Sequence, residues 1–60
     1  MTVYKVKQVA EILAIHTNAV YRLVQSGIIP SFRISTGRNS GIRITEEQLR
    51  VYIEREAKGE

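Results

Sequence analysis

The chain predicts an α+β fold in the order helix, turn, helix, β-hairpin, helix, and three observations lead there. Apolar residues recur twice at helical spacing before Pro30, with a three-residue gap between the two stripes. After Pro30 the apolar period falls to two on either side of a run of turn formers. A third helical pattern then begins near Glu46 behind a capping signature.

Val6, Val9, Ala10 and Leu13 form the first stripe, so helix 1 is expected at about residues 6–13, with Lys7, Gln8 and Glu11 on its other face. Val20, Leu23 and Val24 form the second, in a helix at about 17–26. Ala14, Ile15 and His16 leave room between them only for a tight turn. Gly27 suits the left-handed position that follows a helix, and Pro30 prevents continuation. Phe32 and Ile34 alternate with Ser31, Arg33 and Ser35, and Ile42 and Ile44 flank Arg43. The run from Ser35 to Gly41 is rich in turn formers, so residues 31–44 read as a hairpin. Its apolar face is expected to cover the helices while Arg33 and Arg43 face outward. Thr45 and Gln48 make a capping box for a helix at about 46–57, with Glu46 and Glu47 at the positive end of its dipole. Leu49, Tyr52 and Ile53 are its expected buried stripe, and Tyr4 and Tyr52 are expected at the core edge. The arrangement is a compact winged helix-turn-helix.

Composition sets the bounds. Sixty residues, 43% of them apolar, are read as one domain over 1–60 with one small core. With no cysteine there is neither a disulfide framework nor a thiolate zinc site. No apolar run is long enough to span a bilayer and no secretory pattern opens the sequence, so the expected location is cytoplasmic. The net charge of +3 and pI near 9.7 suit a polyanionic partner. That charge is uneven. Residues 1–44 carry Lys5, Lys7, Arg22, Arg33, Arg38 and Arg43 against Glu11, giving +5, whereas residues 45–60 come to −2.

The segment Val9-Ala10-Glu11-Ile12-Leu13-Ala14-Ile15-His16, followed by Val20 to Pro30, resembles the excisionase-type, MerR-like helix-turn-helix. The Arg43-Ile44 pair before a capped helix fits as well, and the resemblance runs from about Val3 to Ala57. Where that family's turn usually carries glycine, an apolar residue and serine or threonine, this chain has Ala14, Ile15 and His16. Alanine in a left-handed turn position costs about 1 kcal/mol.

The second helix is the expected reader of DNA. With Val20, Leu23 and Val24 inward, Thr17, Asn18, Tyr21, Arg22 and Gln25 remain outside. Asn and Gln pair bidentately with adenine and Arg with guanine, so Asn18, Arg22 and Gln25 suit a major groove. The hydroxyls of Thr17 and Tyr21 suit phosphate. In the wing, Arg38 is placed to enter a minor groove and Arg33 and Arg43 to contact phosphates beside it. Lys5, Lys7 and His16 are weaker phosphate candidates near the starts of the two helices. A lone histidine, with no cysteine or aspartate, gives no metal set and no nucleophile–base pair. No enzyme, metal or cofactor is expected.

The resemblance implies an excisionase, or recombination directionality factor. Such a protein binds direct repeats beside an attachment site, bends DNA and helps an integrase or recombinase remove a mobile element or prophage. Its partners would be double-stranded DNA, an integrase, and further copies associating head-to-tail on DNA, with a monomer when free. No membrane or small-molecule ligand is expected. A small MerR-like transcriptional regulator is the alternative, and a protein-interaction module recruited by a larger enzyme is the third reading.

Overall fold

The computed structural model describes residues 2–35, 37 and 41–58. Its elements run β1 (Val3–Lys5), α1 (Val6–Leu13), α2 (Thr17–Gln25), β2 (Phe32–Ile34), β3 (Gly41–Thr45) and α3 (Glu46–Ala57). The expected helix-turn-helix, hairpin and third helix are all present, and the fold is an α+β winged helix-turn-helix.

Each helix end has a local cause. The Lys5 backbone N–H donates to Gln8 Oε1 at 2.8 Å, satisfying a donor at the start of α1. The helix closes at Ala14, which takes the left-handed conformation at φ 59°. There the Ile15 N–H donates to the Ala10 carbonyl at 3.0 Å and the Ala14 N–H to Glu11 at 3.2 Å. The turn thus keeps a glycine geometry with an alanine in it. His16 occupies the N-cap of α2 without a capping bond from its side chain, while its carbonyl accepts from Ala19 and Val20. Gly27, at φ 78°, follows the Ser26 cap of α2. Nothing lies within 4 Å of where a Cβ would sit, so the positive φ alone asks for glycine. At α3 the Gln48 N–H donates to Thr45 Oγ1 at 3.0 Å and the Thr45 N–H to Gln48 Oε1 at 2.9 Å, the reciprocal capping box.

The sheet has the order β1-β3-β2 with both pairs antiparallel. Strand β1 is an addition to the expected hairpin: Val3, Tyr4 and Lys5 pair with Thr45, Ile44 and Arg43. Three residues are too few to show a period, so pairing with β3 rather than local pattern makes this strand. The core comprises Val6, Val9, Ala10, Val20, Ile29, Ile44 and Leu49, with Tyr4, Leu13, Leu23, Val24, Ile42 and Tyr52 packed partly against it. Burial, and after it the Glu56 carboxylate, raises the Tyr52 phenol above its ordinary pKa.

Two expectations about the core are corrected. Phe32 and Ile34 do not join Ile42 and Ile44 on one apolar face. Phe32 pairs with Arg43, Arg33 with Ile42 and Ile34 with Gly41, so Arg33 shares the inner face while Phe32 and Ile34 face away. A register offset of one residue exchanges the two faces of a strand, and here it leaves Phe32 40% exposed. On α3, Leu49 is buried and Tyr52 half-buried, but Ile53 is 40% exposed because the packed stripe of α3 is narrower than expected.

Replacing Ala14 with glycine removes the left-handed penalty without touching the core. Offset in part by the freer unfolded chain, the change should stabilise the fold by about 0.5–1 kcal/mol. Thermal unfolding should show a midpoint a few degrees higher for Ala14→Gly; an unchanged or lower midpoint would mean that the turn is unstrained.

Candidate nucleic-acid interface

Helix α2 divides cleanly by exposure. Val20 is buried and Ala19, Leu23 and Val24 half-buried, whereas Thr17, Asn18, Tyr21, Arg22 and Gln25 are exposed. At about 100° per residue those five fall within one arc of about 140°, with Thr17 and Tyr21 at one edge and Arg22 at the other. The exposed face is continuous and carries hydroxyl, amide and guanidinium groups without a carboxylate.

Beside the Thr17–Tyr21 edge lies a concavity of about 360 Å³, lined by Lys5, Val6, Lys7, Thr17, Tyr21, Gly41, Ile42 and Arg43. Three separate parts of the chain build it. Lys5 ends β1 and Lys7 sits in the first turn of α1; Thr17 opens α2, and Arg43 lies at the middle of β3. Lys5 and Arg43 are directly opposite each other on the same face of the sheet. Like charges so placed repel, and an anion between or above them offsets the repulsion. The starts of both α1 and α2 border the hollow, and neither first turn contains an acidic residue. Both helix dipoles therefore add positive potential to three cations. Among the described residues no carboxylate lines the hollow, and the two hydroxyls complete a set of donors suited to a phosphate.

The Arg43 guanidinium is held in place: its Nη1 donates to the Ile42 carbonyl at 3.0 Å. Gly41, at φ 134°, fits underneath, since a Cβ there would come within 3.1 Å of that same nitrogen. The signal for Gly41 was in the sequence only as a turn glycine; its tight approach to Arg43 needs the fold.

The remaining candidates fall elsewhere. Asn18, Arg22 and Gln25 are exposed on α2 but do not line the hollow. His16 is exposed at the α2 N-cap. Arg33 is exposed too, but the register puts it on the face of the sheet opposite Arg43, which corrects the expectation that both share one outer face. Arg38 lies outside the described residues. A second hollow of about 260 Å³ is lined, among the described residues, by Thr2, Thr45, Glu46 and Glu47, and its two carboxylates do not suit an anion. Among the described residues there is no group of three acidic, histidine or cysteine side chains that could hold a metal, and no helix long and apolar enough to cross a membrane.

A family model described as a helix-turn-helix domain matches residues 3–57. No curated protein and no solved structure matches the chain.

Gly41→Ala should show the constraint around Arg43. The strained backbone should destabilise the fold by about 1–3 kcal/mol, measured by urea denaturation. Stability equal to wild type would mean that β3 relaxes locally and that Gly41 is not required.

Proposed function

Because this chain belongs to the helix-turn-helix domain family, we propose that it binds double-stranded DNA in a sequence-specific way, with α2 in the major groove. The observation that carries the reading is the cationic hollow of Lys5, Lys7 and Arg43 set against the edge of the exposed polar face of α2. Phosphate held in the hollow fixes the depth and angle of α2, with the Thr17 and Tyr21 hydroxyls as further donors. Asn18, Arg22 and Gln25 then read base edges, the amides favouring adenine and the guanidinium favouring guanine. Arg38 enters the minor groove from the wing, and His16 contributes a phosphate contact at the turn. The protein acts as a binding module and not as an enzyme.

Within that function, the resemblance to excisionase-type proteins supports an architectural role. Copies bind direct repeats head-to-tail beside an attachment site, bend the DNA and assist an integrase in excision. The acidic surface of α3 is the natural contact for a basic neighbour, since residues 45–60 carry −2 while the rest of the chain carries +5. The Glu47–Arg50 pair on that helix, at 3.5 Å and exposed, contributes little to stability and leaves the carboxylates available.

Sequencing the fragments that the protein retains from sheared DNA of its source tests this reading. Direct repeats clustered beside a recombination site support the excisionase; enrichment at promoters would instead make it a regulator. No enrichment at moderate salt would overturn sequence-specific binding and favour an interaction module. On a recovered site, Arg22→Ala should cost about 1–3 kcal/mol and relax the preference at one base pair. An equal loss on every sequence would reassign Arg22 to the backbone.

A further inference from the structure

Phe32, Arg43 and Lys5 form one transverse row. Lys5 pairs with Arg43 across β1 and β3, and Arg43 pairs with Phe32 across β3 and β2, so all three point to the same side of the sheet. Neighbouring strands lie about 4.8 Å apart, which puts Phe32 about 10 Å from Lys5 with Arg43 between them. This is the side that faces away from Tyr4, Ile42 and Ile44, and Phe32 is 40% exposed on it. An aromatic ring left out of a small core, on a three-residue edge strand, is a liability unless something covers it.

We propose that Phe32 packs against a deoxyribose of the DNA strand whose phosphates Lys5 and Arg43 hold, so that the outer face of the sheet is part of the DNA-binding surface. The inference rests on the DNA-binding reading and adds an apolar contact to it. Charge complementarity selects the occupant, because the ring sits beside two cations and no acidic residue shares the row. The nucleic-acid backbone alternates anionic phosphates with apolar sugar faces, so a row of two cations and one aromatic ring matches a phosphate and its neighbouring sugar. A sugar contact carries no sequence information; it adds affinity on every duplex and locks the angle of the sheet against the backbone.

The test is fluorescence anisotropy of a short mixed-sequence duplex labelled with fluorescein, titrated with wild type, Phe32→Ala, Phe32→Leu and Arg43→Ala across a range of salt concentrations. Phe32→Ala should weaken binding about five- to tenfold, as expected for losing one partly buried aromatic side chain, without changing the salt slope. Phe32→Leu should recover most of the loss, and Arg43→Ala should flatten the slope by about one unit. The chain has no tryptophan, so Phe32→Trp supplies a second readout, and its emission should shift to the blue or be quenched at saturating duplex. Wild-type binding with Phe32→Ala as tight as wild type, or a Phe32→Trp emission indifferent to DNA, would overturn the inference while leaving the DNA reading in place. Loss of a concentration-dependent dimer in Phe32→Ala, at unchanged DNA affinity, would assign the row to a second copy of the chain. Wild type that fails to bind the duplex at low salt would remove both readings together.

Discussion

Strand β3 is paired on both sides, and the alternation of its side chains organises both the core and the charged surface. Ile44 is fully buried, flanked by Tyr4 from β1, while one residue earlier Arg43 faces the opposite way between Lys5 and Phe32. Since side chains alternate strictly along a strand, burying Ile44 obliges Arg43 to face outward. The same strand runs directly into α3 through the Thr45 cap, and the Glu46 N–H donates to the Thr2 carbonyl at 2.8 Å. The central strand thereby ties the N-terminal segment, the wing and the last helix to one register.

That register explains how a chain without cysteine gathers its cations into one site. Lys5 and Lys7 flank Val6, a buried residue 5% exposed, so anchoring Val6 in the core directs its two neighbours toward the surface. Thr17 and Tyr21 flank the buried Val20 on α2 in a similar way. In each case an apolar anchor positions a polar neighbour, and the same packing that stabilises the fold sets the spacing of the donors. The cost is the mutual repulsion of Lys5 and Arg43, which is small in water and would be outweighed by the attraction of both to a bound anion.

Much of this was legible in the sequence. The stripes Val6, Val9, Ala10, Leu13 and Val20, Leu23, Val24, the glycine stop at Gly27 and the Thr45–Gln48 box reflect local physics, and they fix the helices without reference to the rest of the chain. The gap between the stripes showed a tight turn, but its left-handed position at Ala14 was expected only from the family resemblance, which puts a glycine there. What could not be read is non-local. β1 exists because β3 offers it an edge, and the faces of the wing depend on the register of β2 against β3. Alternation within β2 shows that Phe32 and Arg33 face opposite ways but not which of them faces the core. Likewise, nothing local says that Lys5 and Arg43, 38 positions apart in the sequence, stand opposite each other, or that Thr17 and Tyr21 border the same hollow.

The central claim is that this hollow holds DNA phosphate, and the salt dependence of duplex affinity tests it most directly. Each cation that displaces a condensed counterion contributes about −0.9 to the slope of log K against log salt. Replacing Lys5, Lys7 and Arg43 together with alanine should therefore flatten the slope by about 2.7 units. The fold should survive loss of the Arg43 bond to the Ile42 carbonyl, because the Lys5 bond to Gln8 uses backbone N–H and none of the three side chains is in the core; circular dichroism checks this. A folded triple variant with the wild-type slope would show that phosphate is held elsewhere and would contradict the account.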